Sequence, residues 1–242
     1  KNKLPNGIEG LLSDAKKHGV KFGIWIEPEM ANTTSELYEK HPDWVLKASE
    51  RDVVLGRGGT QVVLDLANPA VQDFVFGVVD NLMTSYPEID YIKWDANMSV
   101  QNHGSQYLTK DNQSHMYIEF HRGFEKICQR IRAKYPDLTI QACASGGGRA
   151  NYGVLPYFDE FWVSDNTDAL QRIYMQWGTS LFFPGYRHGL THQRRPQPSN
   201  IPGHSPKISD RRSDERPFGH GDPTQKYDRR RENTLPQGDR RL

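Results

Sequence analysis

A helix that opens at Asn68-Pro69 runs directly into an apolar strand, and this junction limits the fold more than any other feature of the chain. Asn68 suits the N-cap, and Pro69 suits the first helical position, where its missing N–H costs nothing. Val71, Phe74, Val75, Val78, Val79 and Leu82 then fall on one helical face. After the turn residues Tyr86-Pro87-Glu88, the run Ile89, Tyr91, Ile92 and Trp94 reads as a β-strand that stops at Asp95-Ala96-Asn97. A strand, helix, strand rhythm with apolar strands implies a parallel sheet covered by helices. In such sheets the carboxyl ends of the strands converge on one crevice, so Asp95 stands where chemistry is done, unless it merely caps the next helix. Lys93 and Trp94 place a cation and an aromatic plate beside it.

The same rhythm recurs along the chain. Asn6 to His18 reads as a helix, followed by a strand at Lys21 to Ile26 that ends in Glu27-Pro28-Glu29-Met30. Glu29 reads either as a ligand or as part of a hydrogen-bonded loop. A short helix is expected from Thr33 to His41. Ser114 to Tyr135 carries Tyr117, Phe120, Phe124, Ile127 and Ile131 at helical spacing, and Leu138 to Ala142 is a strand running into Cys143-Ala144-Ser145-Gly146-Gly147-Gly148-Arg149. Three consecutive glycines require the backbone to approach a ligand or a neighbouring strand very closely. Phe161-Trp162-Val163 is a further strand, ending in Ser164-Asp165-Asn166-Thr167-Asp168, and a helix with Leu170, Ile173, Tyr174 and Trp177 on one face follows. Either Asp165 or Asp168 is positioned to cap that helix.

Composition excludes several classes. The 242 residues suffice for one large domain. No run approaches the roughly 18 to 20 apolar residues of a membrane span. Two cysteines, Cys128 and Cys143, make no disulfide framework and no CxxC pair, and His103 and His115 have no metal-ligand spacing, so no metal or cofactor is expected. Cys143 has no His close in sequence to activate it and reads as a small buried contact residue. Arg57, in Gly56-Arg57-Gly58-Gly59, stands on an exposed glycine-rich loop that lacks a phosphate-binding pattern.

Strand ends bearing Glu29, Asp95, Cys143 and Asp165 or Asp168 suit a (β/α)8 TIM barrel, whose catalytic groups come from several strand ends. Paired carboxylates among aromatic and cationic side chains suit sugar chemistry, one attacking the anomeric carbon while the other protonates the leaving oxygen. In order and spacing, Gly23 to Met30, Tyr91 to Asn97, Cys143 to Arg149 and Ser164 to Ala169 resemble the barrel of the family 36 glycoside hydrolases, which are retaining α-galactosidases. The resemblance covers roughly residues 5 to 184. It implies that Asp95, in a KWDxN motif, is the nucleophile and that Asp165, in SDNTD, is the general acid/base. It also implies that Arg57, Lys93, Cys143 and Gly146 line the galactose subsite, with Trp94, Asn97 and Asp168 as further substrate-binding positions. Lys93 would favour the ionised form that a nucleophile needs.

The family also implies an α-galactoside substrate, a cytoplasmic parent enzyme that is a homo-oligomer, and no nucleic-acid or membrane partner. Within it, a raffinose-type galactosyltransferase or an α-N-acetylgalactosaminidase would use the same two aspartates, and a noncatalytic carbohydrate-binding remnant is the alternative from another class. The family places a strand ending in a tandem aspartate pair before Gly23, flanked by large N- and C-terminal β-domains. The expected architecture is therefore a partial α/β barrel, a fragment of a larger multidomain enzyme, with an apolar interior left exposed. Residues 185–242 change character: they hold 13 Lys and Arg against 7 Asp and Glu, while 1–184 hold 18 against 23. With no periodicity and few apolar residues, this tail is expected to have no stable fold and to arise from a reading-frame slip just after Pro184. Its Arg194-Arg195, Arg211-Arg212 and Arg229-Arg230-Arg231 runs lack the aromatic interleaving of a nucleic-acid site.

Overall fold

The computed structural model describes residues 3–101 and 104–183. The tail from 185 and His103 lie outside the described residues. Helix α1 (Gly7–Lys17) leads to strand β1 (Phe22–Ile26); β2 (Met30–Asn32), the short α2 (Glu36–Lys40) and β3 (Gln61–Val63) follow. Then come α3 (Pro69–Ser85), β4 (Ile89–Trp94), α4 (Met116–Lys134), β5 (Thr139–Ala142), β6 (Glu160–Phe161) and α5 (Ala169–Ser180). Strands β1, β4, β5 and β6 form a parallel sheet in that order, the arrangement of consecutive staves in a (β/α)8 barrel. The antiparallel pair β2–β3 stands outside the strand, helix, strand rhythm read from the sequence.

Helix α3 forms where its capping residue expects it. Asn68 Oδ1 accepts from the Ala70 N–H at 2.9 Å, and Val71, Val75, Val79 and Met83 are the buried face of α3. α4 buries Met116, Phe120, Phe124, Ile127 and Ile131. At its Gly123 a Cβ would come 1.8 Å from the Leu66 carbonyl oxygen, so the helix can lie this close to the chain leading into α3 only through glycine. α5 departs from expectation. Its Leu170, Tyr174 and Trp177 are exposed, and its buried residues are Ala169 and Arg172.

Side-chain alternation divides the sheet into two faces. Ile92, Trp94, Ile140, Ala142 and Phe161 are buried in the core that includes α3 and α4. Tyr91 and Lys93 alternate onto the opposite face, in register with Gly23 and Trp25 of β1 and with Thr139 and Gln141 of β5. This second face is polar and aromatic rather than the apolar interior expected of an incomplete barrel. Glu160 Oε2 accepts from Tyr91 Oη at 2.9 Å and from Gln141 Nε2 at 3.0 Å, and burial together with the Glu160 charge pushes the Tyr91 phenol well above its ordinary value. Among the described residues no helix is long and apolar enough to cross a membrane.

Candidate active site

Register fixes the first row of the site. Ile26, Trp94, Ala142 and Phe161 are aligned across the sheet. The ladder continues one step beyond, with Asp95 N–H donating to the Ile26 carbonyl at 2.9 Å, Cys143 N–H to Trp94 at 2.8 Å and Trp162 N–H to Ala142 at 2.8 Å. Asp95, Cys143 and Trp162 therefore stand side by side at the carboxyl end of three neighbouring strands.

Asp95 is 6% exposed and surrounded by donors. Its Oδ2 accepts from Trp25 Nε1 at 2.9 Å, and its Oδ1 from the Ala96 N–H at 2.9 Å. Burial pushes the carboxyl up, but hydrogen bonds from Trp25, Asn97, Cys143 and the Ala96 N–H outweigh it and hold Asp95 below the ordinary carboxylate value. These donors, rather than the expected Lys93, account for the ionised state. Cys143 is buried, and burial, together with its hydrogen bond to Asp95, raises the thiol to about 11, so it serves as a donor and is not a thiolate nucleophile.

Asp165 sits three residues beyond Trp162, on an exposed loop, and accepts from Trp162 Nε1 at 2.9 Å. Lys93 Nζ lies 4.3 Å from the centre of the same indole, which joins the end of β4 to that of β6 across β5. Asp168 resolves the capping alternative: its Oδ1 accepts from the Leu170 and Gln171 N–H groups at 3.1 and 3.0 Å, so it is the N-cap of α5.

The glycine run serves a neighbouring strand. Gly146, at φ +90°, would place a Cβ 2.9 Å from Ser164 Cα, and at Gly147 a Cβ would lie 3.0 Å from the Val163 carbonyl oxygen. The tight approach brings the Cys143 loop against the Asp165 loop. Asn97 Oδ1 fastens it from the other side, accepting from Ser145 N–H and Oγ at 3.2 Å each.

Trp94 goes elsewhere. It is 1% exposed, packs edge-on against Phe124 and Phe158, and donates Nε1–H to Glu29 Oε1 at 2.7 Å. The strand pleat turns it to the helix side, which corrects the expectation of a sugar-facing plate at this position; Trp25 and Trp162 are the indoles beside the carboxylates. Glu29 is fully buried and held by both arms of Arg149, with Nη2 to Oε2 at 2.8 Å. It belongs to a structural clamp. Burial disfavours the Arg149 charge and Glu29 more than offsets this.

Arg57, at φ +45°, occupies the exposed turn before β3. Its neighbour Gly56 would place a Cβ 2.7 Å from Met98 Sδ, so the turn abuts the segment after Asn97. Glu27, at the end of β1, ties the region together, accepting from Asn97 N–H and Gln61 Nε2 at 2.8 Å each. The loop after Asp95 is anchored by Ser105, which donates its hydroxyl to buried Asp65 and accepts from the Tyr107 and Leu108 N–H groups at 3.1 and 3.0 Å. Sequence reasoning missed Trp25, Arg149, Trp162 and Arg172. Trp25 and Trp162 had a usable signal, because one lies in β1 and the other directly after β6, and register places each near a carboxylate.

The chain matches the Melibiase family over residues 1–199. It is 39% identical over 184 residues to α-galactosidase AgaA of Geobacillus stearothermophilus, covering 76% of this chain and 25% of that protein. To α-galactosidase 2 of Pediococcus pentosaceus it is 40% identical over 182 residues, 75% of this chain and 25% of the other. Among solved structures, the GH36 α-galactosidase AgaA superposes with a TM-score of 0.70 at 38% identity, covering 74% of this chain and 25% of that one. A stachyose complex of the same enzyme gives 0.75 at 34% identity, covering 86% and 29%. The chain thus spans about a quarter of the length of these relatives. The four motifs, their places at the ends of parallel strands and the family match agree, and the chain belongs to the Melibiase family, with GH36 α-galactosidases among its relatives.

Proposed function

We propose that this segment carries the catalytic pair of a retaining α-galactosidase acting on raffinose-type galactosides. The observation that carries the reading is the pairing of two unlike carboxylates on one side of the sheet: Asp95, buried and held ionised by its donors, and Asp165, exposed on the loop beyond β6. Family membership supports it, as do the relatives' names and the AgaA complexes with raffinose and stachyose.

The reaction is a double displacement. The Asp95 carboxylate attacks the anomeric carbon as its bond to the glycosidic oxygen breaks, and that oxygen takes the proton of Asp165. Asp165, now a carboxylate, removes a proton from water, whose oxygen attacks the anomeric carbon and frees Asp95. Lys93 and Arg57 supply hydroxyl-directed donors. Following product stereochemistry by NMR during hydrolysis of an aryl α-galactoside by the product of the complete gene tests this reading. The α-anomer of galactose is expected first; the β-anomer, or no turnover of any α-galactoside, would overturn it.

We also propose that residues 185–242 reflect a frame slip after Pro184, supported by the abrupt change of charge and composition there. Resequencing of the gene tests this.

A further inference from the structure

Arg172, the only charged residue of α5, is buried at 4% exposure on a helix whose apolar side chains Leu170, Tyr174 and Trp177 face outward. Lysines and arginines are seldom buried without a specific partner. Two of its contacts reach the Asp165 loop. Arg172 Nη1 donates to the Ser164 carbonyl at 2.7 Å, which fixes the backbone of the residue before Asp165. The guanidinium carbon lies 4.7 Å from the centre of the Trp162 indole, whose Nε1–H is donated to Asp165 Oδ1. One side chain therefore holds the loop by its backbone and also holds the indole that orients the carboxyl. The Asp168 cap fixes the start of α5, and the Arg172 N–H to Asp168 carbonyl bond at 2.9 Å sets Arg172 one turn in, within reach of Ser164.

We propose that Arg172 is the positioning residue of the acid/base: acting through Ser164 and Trp162, it holds the Asp165 carboxyl where its proton meets the departing glycosidic oxygen. This rests on the assignment of Asp165 as proton donor. Chemistry supplies a readout that mere structural support would not move. A leaving group that departs as a stable anion needs no proton, whereas an alkoxide does, so loss of proton-donor alignment shows only with the poor leaving group.

The test compares kcat/KM for 2,4-dinitrophenyl and methyl α-galactosides in the product of the complete gene. Arg172→Met is expected to lower the methyl value by on the order of ten- to a hundredfold while leaving the dinitrophenyl value within about threefold. Trp162→Phe keeps a ring but removes the indole N–H, and should show the same selectivity. Arg172→Lys, which preserves the charge without the planar fork, should fall between wild type and Arg172→Met, and serves if the methionine variant does not fold. Equal loss on both substrates in Arg172→Met and Arg172→Lys would reduce Arg172 to structural support and overturn the proposal. So would selectivity in Trp162→Phe with none in either Arg172 variant. Asp165→Ala separates the two levels: if it shows no dependence on leaving group, the acid/base assignment itself fails and the role of Arg172 falls with it.

Discussion

The two carboxylates are held in opposite ways. Asp95 is built into the sheet: its backbone extends the ladder from β1, and donors surround its oxygens. Among the described residues, Asp165 is attached to the sheet by a single indole N–H and a loop that Arg172 grips from behind. The contrast suits the proposed chemistry. A nucleophile must keep one charge at one place, which favours dense, pre-formed hydrogen bonding. An acid/base must meet first a leaving oxygen and then a water, and so needs access to solvent.

The largest effect should come from breaking the pair itself. Asp95→Ala is expected to lower kcat by on the order of 10⁴-fold or more, with azide restoring turnover to a product of inverted configuration, because the small anion fills the vacated nucleophile position. Asp165→Ala should spare substrates with good leaving groups. Identical behaviour of the two variants would erase the distinction between the sites.

The next effect concerns what lies beneath Asp95. Arg149→Met leaves Glu29 buried without its partner and should cost about 3 to 5 kcal/mol of stability, read from urea unfolding of the gene product. Adding Glu29→Leu should recover much of that loss; failure to do so would place the cost in packing against Phe124, over which the guanidinium lies at 4.4 Å.

Lys93 links the two halves through Trp162. Lys93→Ala should lower transition-state stabilisation by about 1.5 to 3 kcal/mol, as for a charged donor lost without replacement, and unaltered kcat/KM would remove it from the site. The subtlest change is Trp25→Phe. Hydrogen bonds keep the Asp95 pKa low, so removing the indole donor lets it rise toward the value that burial favours. Since the nucleophile works ionised, the acid limb of the kcat/KM profile should move to higher pH, with activity lost first on the acidic side. An unmoved limb would show that the remaining donors suffice.

Much of this site was legible because strand periodicity ends abruptly at its carboxylates. The strand before Asp95 and the capped helix before it are local patterns, and both appear in the structure. The glycine run announced a close approach, but only the fold tells that the neighbour is the Val163–Ser164 backbone. Arg149 and Glu29 are 120 residues apart, and no local pattern marks an arginine as buried when its partner arrives from another loop. Arg172 was obscured for the related reason that Leu170, Tyr174 and Trp177 looked like the inner face of α5. Trp94 was misread because proximity in sequence was taken for proximity in space: adjacent residues in a strand point to opposite faces.

The in-register row of Asp95, Cys143 and Trp162 also bears on which changes of length the gene can accept. Neighbouring strands are about 4.8 Å apart, so the sheet acts as a ruler for the site, and its pleat sets which side each residue faces. Inserting one residue within β4 would turn Asp95 toward the helices and Trp94 toward the substrate. Deletions and insertions should therefore be confined to links at the amino ends of the strands, such as residues 18–21 between α1 and β1, where length can vary without exchanging the two faces.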